Sequence, residues 1–187
     1  MNLNKLFPLQ KQLDEHIVKE KGLEGQDLLD KKILALQVEL GELANEFRGF
    51  KFWSENQEPN VLSYKCSECG FTRKENIDCP LADEHYEFYM IGFNPLLEEY
   101  VDCLHFILSI GNDLGEFEYE PKEHFQSIVE PVEAFNFLFD AITLMWRSIE
   151  HKKSKGNRMS LAIYNYKLLL SIFIRLGELL GFTTEQI

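Results

Sequence analysis

The sequence has 187 residues, which is the size of one domain with room for a sizeable hydrophobic core. A hydrophobic content of 45% and an aromatic content of 13% are those of a folded globular protein, and they exclude a disordered chain. The formal net charge of −12 argues against a surface for DNA or RNA, which needs a basic face, but not against a nucleotide that arrives with a divalent cation.

Three features of the sequence predict a cytoplasmic protein without a membrane anchor. The most apolar run, residues 164–176, is interrupted by a lysine and an arginine and is too short for a membrane span. The N-terminal residues MNLNKLFPLQ lack the apolar segment of a signal peptide. Four cysteines without such a signal argue against a disulfide framework.

The first predicted element is a helix over residues 2–20, because apolar side chains recur there at helical intervals. The stripe that we expect to be buried consists of Leu6, Leu9, Leu13, Ile17 and Val18. Residues 21–26 contain two glycines and predict a loop, after which Asp27 is suited to cap the next helix.

The stretch 31–54 predicts a long amphipathic helix that ends near Ser54. Its carboxylates Glu39, Glu42 and Glu46 fall at i, i+3 and i+7, so they share one face. Like charges on one face repel each other, and the lysines at the start of the stretch are too far upstream to neutralise them. The pattern indicates a missing cation, and a divalent metal is suited to the place.

Residues 55–93 lack helical periodicity and separate the two acidic helices as an insert. The sequence Cys66-x-x-Cys69-Gly70 has the form of a zinc knuckle, in which a turn brings two thiolates onto one metal and glycine permits the tight backbone. Cys79 and His85 could complete a tetrahedral structural zinc site, and Asp83 is a poorer candidate for the fourth ligand. Free thiols or a redox pair are the alternatives.

The stretch 94–113 predicts a second acidic helix, with Asn94 as its N-cap and Pro95 at its first position. Glu99 and Asp102 lie three positions apart inside an otherwise apolar pattern. Two helices that each carry such a pair can face each other in a bundle and offer oxygen ligands to Mg²⁺ or Mn²⁺. The four candidate metal ligands are Glu39, Glu42, Glu99 and Asp102. Two solvated acidic faces are the structural alternative.

Two further helices are predicted over residues 132–151 and 158–180. An acidic, aromatic connector at 115–125 precedes them, and a basic turn at 152–157 separates them. Both helices are apolar on more than one face, so we expect them to be buried against the bundle and against a second subunit in a homodimer.

Several longer motifs resemble one protein family. The pairs Glu39-x-x-Glu42 and Glu99-x-x-Asp102 look like the signature of the all-α nucleoside triphosphate pyrophosphohydrolases, the MazG-like superfamily. The sequences ELGELANE, FKFWS and LEEYVDCLHF are similar to those of the dimeric, all-α dUTPases, and LFPLQKQLDEHI resembles their first helix. The resemblance implies an all-α helical bundle, with residues 1–187 as one domain and 55–93 as a small cysteine-containing insert.

The resemblance also implies roles for individual residues. Gln10 would contact the nucleotide base, Lys51 and Trp53 would contact the substrate, and His105 and Phe106 would bind the base by hydrogen bonding and stacking. A lysine offers a point charge to phosphate, and a tryptophan offers a flat face. An exposed glutamine at Gln10 and a core anchor at Trp53 are the structural alternatives.

The resemblance implies Mg²⁺-dependent hydrolysis of dUTP to dUMP and pyrophosphate, with Glu42 as the general base. The same fold acting on another nucleotide, such as dCTP, and a non-catalytic dimeric binding module remain alternatives. A di-iron bundle requires Glu-x-x-His motifs, and only Asp102-x-x-His105 comes close to one. The final residues GFTTEQI do not match the Lys-, Asn- and Arg-rich closing segment that the resemblance leads us to expect, which leaves base specificity open.

Overall fold

The computed structural model describes residues 2–73, 79–81, 85, 90–115, 125–150 and 159–187. Within them the chain forms five helices: α1 (Leu3–Glu20), α2 (Leu29–Phe47), α3 (Pro95–Leu114), α4 (Pro131–Glu150) and α5 (Met159–Leu179). Three short strands lie between α2 and α3: β1 (Ser63–Cys66), β2 (Thr72–Arg73) and β3 (Met90–Phe93). The predicted all-α bundle is confirmed. The basic turn predicted at 152–157 and most of the connector predicted at 115–125 lie outside the described residues.

The helices pack in two main pairs, α2 against α3 and α4 against α5, and α1 lies against α3. One core joins the pairs. Tyr100 of α3 stacks on Phe173 of α5 with ring centroids 4.2 Å apart, and its hydroxyl donates a hydrogen bond to the Phe173 carbonyl oxygen. Because α2 packs directly against α3, the metal-ligand candidates on these two helices are held close together.

The buried face of α1 differs from the predicted one. Leu3, Phe7 and Gln10 are buried, whereas Leu9 and Leu13 of the predicted stripe are exposed, as is Ile17. The stripe prediction was wrong for these residues because they line cavities that open to solvent, rather than the core.

The second helix is shorter than predicted. It ends at Phe47, where Arg48 adopts a left-handed backbone conformation with φ of 64° and its N–H donates to the Ala44 carbonyl oxygen. The prediction of an end near Ser54 was wrong because the aromatic residues that follow continue an apolar pattern on a backbone that has already left the helix. Asp27 contributes to the start of this helix, since its carboxylate accepts a hydrogen bond from the Leu29 N–H.

The third helix begins as predicted. Asn94 precedes it, and its side-chain oxygen accepts a hydrogen bond from the Leu97 N–H over 3.1 Å. Pro95 occupies the first turn, where its missing N–H leaves no intrahelical bond unmade. These two residues fix the point at which the acidic helix α3 enters the bundle.

The insert contains a small antiparallel sheet with the strand order β2-β1-β3. Strand β1 pairs with β3 in a register that places Ser63 opposite Phe93 and Cys66 opposite Met90. The sheet was not predicted, because its strands are too short to show a pattern. Strand β3 leads directly into Asn94 and α3, so the sheet is continuous with the acidic helix. None of the helices described here combines the length and the apolarity needed to cross a bilayer.

Candidate active site

Three carboxylates from two helices meet at the contact between α2 and α3. Glu39 and Glu42 lie one turn apart on α2, and Glu99 faces them from α3. One oxygen from each carboxylate lies within 4.8 Å of one from each of the others. Asp102 is not part of this group, but its charge acts on both Glu39 and Glu99. The structure thus brings three of the four predicted metal ligands together and places the fourth nearby.

The carboxylate cluster carries negative charge that no cationic side chain in the described part of the chain balances. Burial, together with the charges of Glu42 and Asp102, raises the pKa of Glu99 to about 7. The pKa of Glu39 is also raised, mainly by burial and to a smaller extent by the charges of Glu42 and Asp102. Among the described residues, no lysine or arginine forms an ion pair with any of the four acidic side chains.

These residues fit a hard divalent cation. Carboxylate oxygens are the ligands that Mg²⁺ and Mn²⁺ prefer, and a partly exposed group leaves coordination positions for water and phosphate. The nearby Cys103 offers no competing soft ligand, because burial raises the pKa of its thiol well above the usual range. The cluster is therefore suited to Mg²⁺ and poorly suited to a thiophilic metal.

A cavity of about 380 Å³ lies between α1, α2 and α3. Most of its wall is apolar and includes Leu13, Ile17, Leu23, Leu28, Ala35 and Phe106. Its polar lining comes from Gln10, Asp14, Lys31, Lys32, His105 and Ser109. Apolar walls with a few fixed polar groups are typical of small-molecule sites. The cavity adjoins the carboxylate cluster, because Ala35 in its wall lies one helical turn before Glu39 on α2, and His105 and Phe106 lie one turn beyond Asp102 on α3.

Hydrogen bonds fix the polar side chains at one end of this cavity. The Gln10 amide nitrogen donates to Asp14 over 2.8 Å, and its carbonyl oxygen accepts from His105 Nδ1 over 2.7 Å. Ser109 donates to the second oxygen of Asp14 over 2.6 Å. Lys32 forms ion pairs with Asp14 and Asp113. The Gln10 side chain is therefore buried and makes two hydrogen bonds, and it is not an exposed glutamine.

Asp14, Ser109 and Lys32 were not singled out from the sequence. The spacing of Gln10 and Asp14, four positions apart on one helix, is a signal that could have drawn attention to Asp14. Ser109 is a polar residue at a buried position of α3, but its partner lies on a distant helix. The Lys32 partners lie on α1 and α3, and no local pattern connects them.

Lys51 and Trp53 lie in the segment that follows α2 and do not line this cavity. The Lys51 ammonium group donates to the Asn45 carbonyl oxygen over 3.2 Å. Trp53 is 66% exposed and meets Phe50 and Phe52 edge to face. It is thus a surface side chain and not a core anchor. A larger cavity of about 470 Å³ lies elsewhere, near Leu3, Tyr100 and Phe182, and contains none of the predicted site residues.

A second cluster lies in the insert and combines Cys66, Cys69, Cys79 and His85. One ligand atom from each of these residues lies within 4.8 Å of those of the others. Cys66 Sγ is 3.6 Å from His85 Nδ1, and Cys69 Sγ is 3.6 Å from Cys79 Sγ. The structure therefore brings together all four residues predicted to bind zinc. Asp83, the poorer candidate, lies outside the described residues.

The helical bundle, the carboxylate cluster and the adjoining cavity together have the form of an all-α nucleotide pyrophosphohydrolase. A family model described as dUTPase matches residues 2–66 and 91–187. The chain therefore belongs to this all-α dUTPase family and has a dUTP diphosphatase-like nucleotide pyrophosphohydrolase activity. No curated protein and no solved structure gives a significant match.

Proposed function

We propose that the protein hydrolyses dUTP to dUMP and pyrophosphate with Mg²⁺. The observation that carries the proposal is the group of three clustered carboxylates on α2 and α3, which adjoins a cavity suited to a nucleobase. The family supports a nucleotide as the substrate. The resulting activity would remove dUTP from the nucleotide pool.

The metal would be held by Glu39, Glu42 and Glu99, with Asp102 as a fourth ligand or as a partner of a metal-bound water. Mg²⁺, or Mn²⁺ in its place, neutralises phosphate charge and orients the phosphate oxygens when it is bound. The raised pKa of Glu99 supports this assignment, because crowded carboxylates gain most from a nearby cation. Protonation of the ligands at low pH should weaken metal binding.

Glu42 is the proposed general base. It is the exposed member of the three carboxylates, so water from the solvent reaches it directly. Its carboxylate would accept a proton from the water that attacks the α-phosphorus. The bond from that phosphorus to the bridging oxygen then breaks, and pyrophosphate leaves with that oxygen. Glu39 and Glu99 would remain unprotonated as ligands throughout the reaction.

The tautomer of His105 favours uracil over cytosine. The Gln10 carbonyl oxygen can only accept, so His105 Nδ1 carries a proton and the neutral ring leaves Nε2 as an acceptor. Uracil presents an N–H at position 3, whereas cytosine presents an acceptor there. His105 would accept a hydrogen bond from uracil N3–H, and the half-buried Phe106 would stack on the base.

Lys51 and Trp53 are proposed to contact the phosphates and to cover the nucleotide. Both belong to the segment that directly follows α2, the helix that carries Glu39 and Glu42. In the present conformation the Lys51 ammonium group donates to a backbone oxygen and lies 5.7 Å from the centroid of the Phe50 ring, and a phosphate can replace these surface contacts at small cost.

A homodimer is proposed from the exposed apolar side chains of the last two helices. Phe137 and Trp146 of α4 and Leu161 and Tyr164 of α5 are all exposed. Large aromatic side chains at the surface are typical of contacts between subunits.

We further propose that the chain is one domain, with 55–93 as an insert, and that it acts in the cytoplasm.

Release of pyrophosphate from a panel of nucleoside triphosphates tests the proposed reaction. We expect dUTP to be the best substrate, with activity that requires Mg²⁺ and disappears with a chelator. Preference for dCTP would contradict the assignment of the base, and preference for UTP would contradict the assignment of the sugar, while either would leave the family's reaction intact. Release of inorganic phosphate in place of pyrophosphate would contradict attack at the α-phosphorus.

A further inference from the structure

The cluster of Cys66, Cys69, Cys79 and His85 lies in and next to a segment that the family model does not match. The family model matches residues 2–66 and 91–187, so the intervening segment 67–90 is unmatched. Three of the four clustered side chains fall in that segment, and the fourth, Cys66, is the last matched residue before it. A role in the family's reaction therefore does not account for the cluster.

We propose that these four residues bind a structural zinc ion. Zinc bound to three thiolates and one imidazole has Zn–S distances of about 2.3 Å and Zn–N distances of about 2.0–2.1 Å. In a tetrahedron these lengths place two sulfurs about 3.8 Å apart, and a sulfur and a nitrogen about 3.5 Å apart. The two distances of 3.6 Å in the cluster, one of each kind, agree with these values.

The backbone around the cysteines supports thiolates at this position. The Leu81 N–H donates to the Cys79 sulfur over 3.5 Å. Gly70 adopts φ of 71°, a conformation that side-chain-bearing residues rarely take, and its N–H donates to the Cys66 carbonyl oxygen. Such donors stabilise the charge on metal-bound sulfur and orient it.

The arrangement fits a closed structural site better than a redox pair. A disulfide between Cys69 and Cys79 would involve two of the four side chains and would not account for the position of Cys66 beside His85. Zinc uses all four. Because the protein fills every tetrahedral position, no position remains for substrate or water, and the zinc is not catalytic.

The proposed zinc would stabilise the approach to the acidic helix α3. Cys66 ends strand β1, which pairs with β3, and β3 runs into Asn94 and α3. The segment before β1 is tied to the same place, because the Asn60 carbonyl oxygen accepts a hydrogen bond from the Leu96 N–H. The site is separate from the proposed Mg²⁺ ligands. Its thiolates are soft ligands that select zinc, whereas the carboxylates are hard ligands that select Mg²⁺.

Metal analysis of the purified full-length protein tests the proposal. We expect one zinc per chain after purification without added metal, and loss of that zinc in Cys69→Ser and in His85→Ala. Cys103→Ala and His16→Ala are matched controls, since Cys103 is buried in the bundle and His16 is exposed on α1, and both variants should keep the zinc. Equal zinc in all four variants would overturn the assignment of the ligands.

A second measurement does not depend on the folding of the variants. Titration of the wild-type protein with a thiol-specific mercurial should release zinc in step with the modification of three cysteines. Replacement of the zinc by Co²⁺ should give the absorption bands of tetrahedral cobalt with thiolate ligands. Wild-type protein without zinc, or with a mass that indicates a disulfide between Cys69 and Cys79, would overturn the proposal.

Discussion

The side chains of Gln10 and His105 are joined by a hydrogen bond of 2.7 Å between α1 and α3. Gln10 is buried, and its amide nitrogen is engaged by Asp14, so its carbonyl oxygen must face the histidine. The bond therefore sets both the position of the imidazole in the cavity and the nitrogen that carries its proton. The consequences for the proposed binding of the base can be measured.

Substitution Gln10→Ala should weaken the discrimination between dUTP and dCTP. Without its partner the His105 ring can rotate or change tautomer, and Asp14 loses a donor. A hydrogen bond of this kind contributes about 1–3 kcal/mol, so kcat/KM for dUTP should fall about tenfold or more, with a smaller change for dCTP. The control is Gln12→Ala, which removes an exposed glutamine from the same helix and should leave both values unchanged. An unchanged ratio for Gln10→Ala would contradict the proposed tautomer.

Substitution Glu42→Gln should preserve the fold and lower turnover by about 10²–10⁴-fold, because the amide cannot accept the proton of the attacking water. Steady-state release of pyrophosphate gives the rate, and circular dichroism checks the helices. Glu15→Gln, the same change at an exposed position of α1, is the control and should retain full turnover. Near-normal turnover of Glu42→Gln would rule out its role as the base.

The metal-free protein should lose stability as the pH rises from about 4.5 to about 7. The pKa of Glu99 is raised from its ordinary value of 4.5 to about 7 by burial and by its acidic neighbours. Within this window the folded state holds more protons than the unfolded state, so the free energy of unfolding falls as the pH increases. Urea unfolding in a chelator across this pH range measures the effect. Mg²⁺ should restore stability at neutral pH.

Glu99→Gln should flatten this decline, because the amide carries no charge in either state. Glu98→Gln is the matched control: Glu98 is the exposed neighbour on the same helix, and its charge is the weakest of those that raise the pKa of Glu99. This control should keep most of the decline. A decline of equal size in wild type and in Glu99→Gln would show that the carboxylate cluster is not its source.

Two glycines in helices should respond in opposite directions to alanine. A methyl group at Gly111 of α3 would collide with the Tyr166 hydroxyl and lie 2.8 Å from the Phe7 ring, so Gly111→Ala should destabilise the protein by about 1–3 kcal/mol. Gly41 of α2 has open space around the same position, and Gly41→Ala should stabilise the helix by about 0.5–1 kcal/mol. Chemical denaturation compares the two variants, and a stabilising Gly111→Ala would contradict the close packing of α1, α3 and α5.

Features that depend on neighbouring residues could be predicted from the sequence. Asn94 and Pro95 mark the start of α3 because capping is local chemistry, and the structure confirms it. The pairing of Glu39 with Glu42 follows from helical geometry. Their convergence with Glu99 required only that two amphipathic helices bury their apolar faces against each other.

Features that depend on distant residues could not be predicted. Nothing near Gln10 in the sequence indicates that it is buried, because its partner His105 comes from another helix. The end of α2 depends on Arg48, which adopts a left-handed conformation that non-glycine residues seldom take. Leu9 and Leu13 have the spacing of core residues, but they line an open cavity, and periodicity cannot distinguish a core from a pocket wall.

The hydrogen bond between Asp14 and Ser109 joins residues that lie 95 positions apart in a chain of 187 residues. During synthesis on the ribosome, α1 emerges long before α3, so the polar end of the cavity cannot form until the insert has also been translated. Until then Asp14 and the apolar side chains beside it remain exposed to the cellular milieu. A nascent chain that stalls within the insert would therefore present an incomplete cavity with exposed apolar side chains, the kind of surface that chaperones bind.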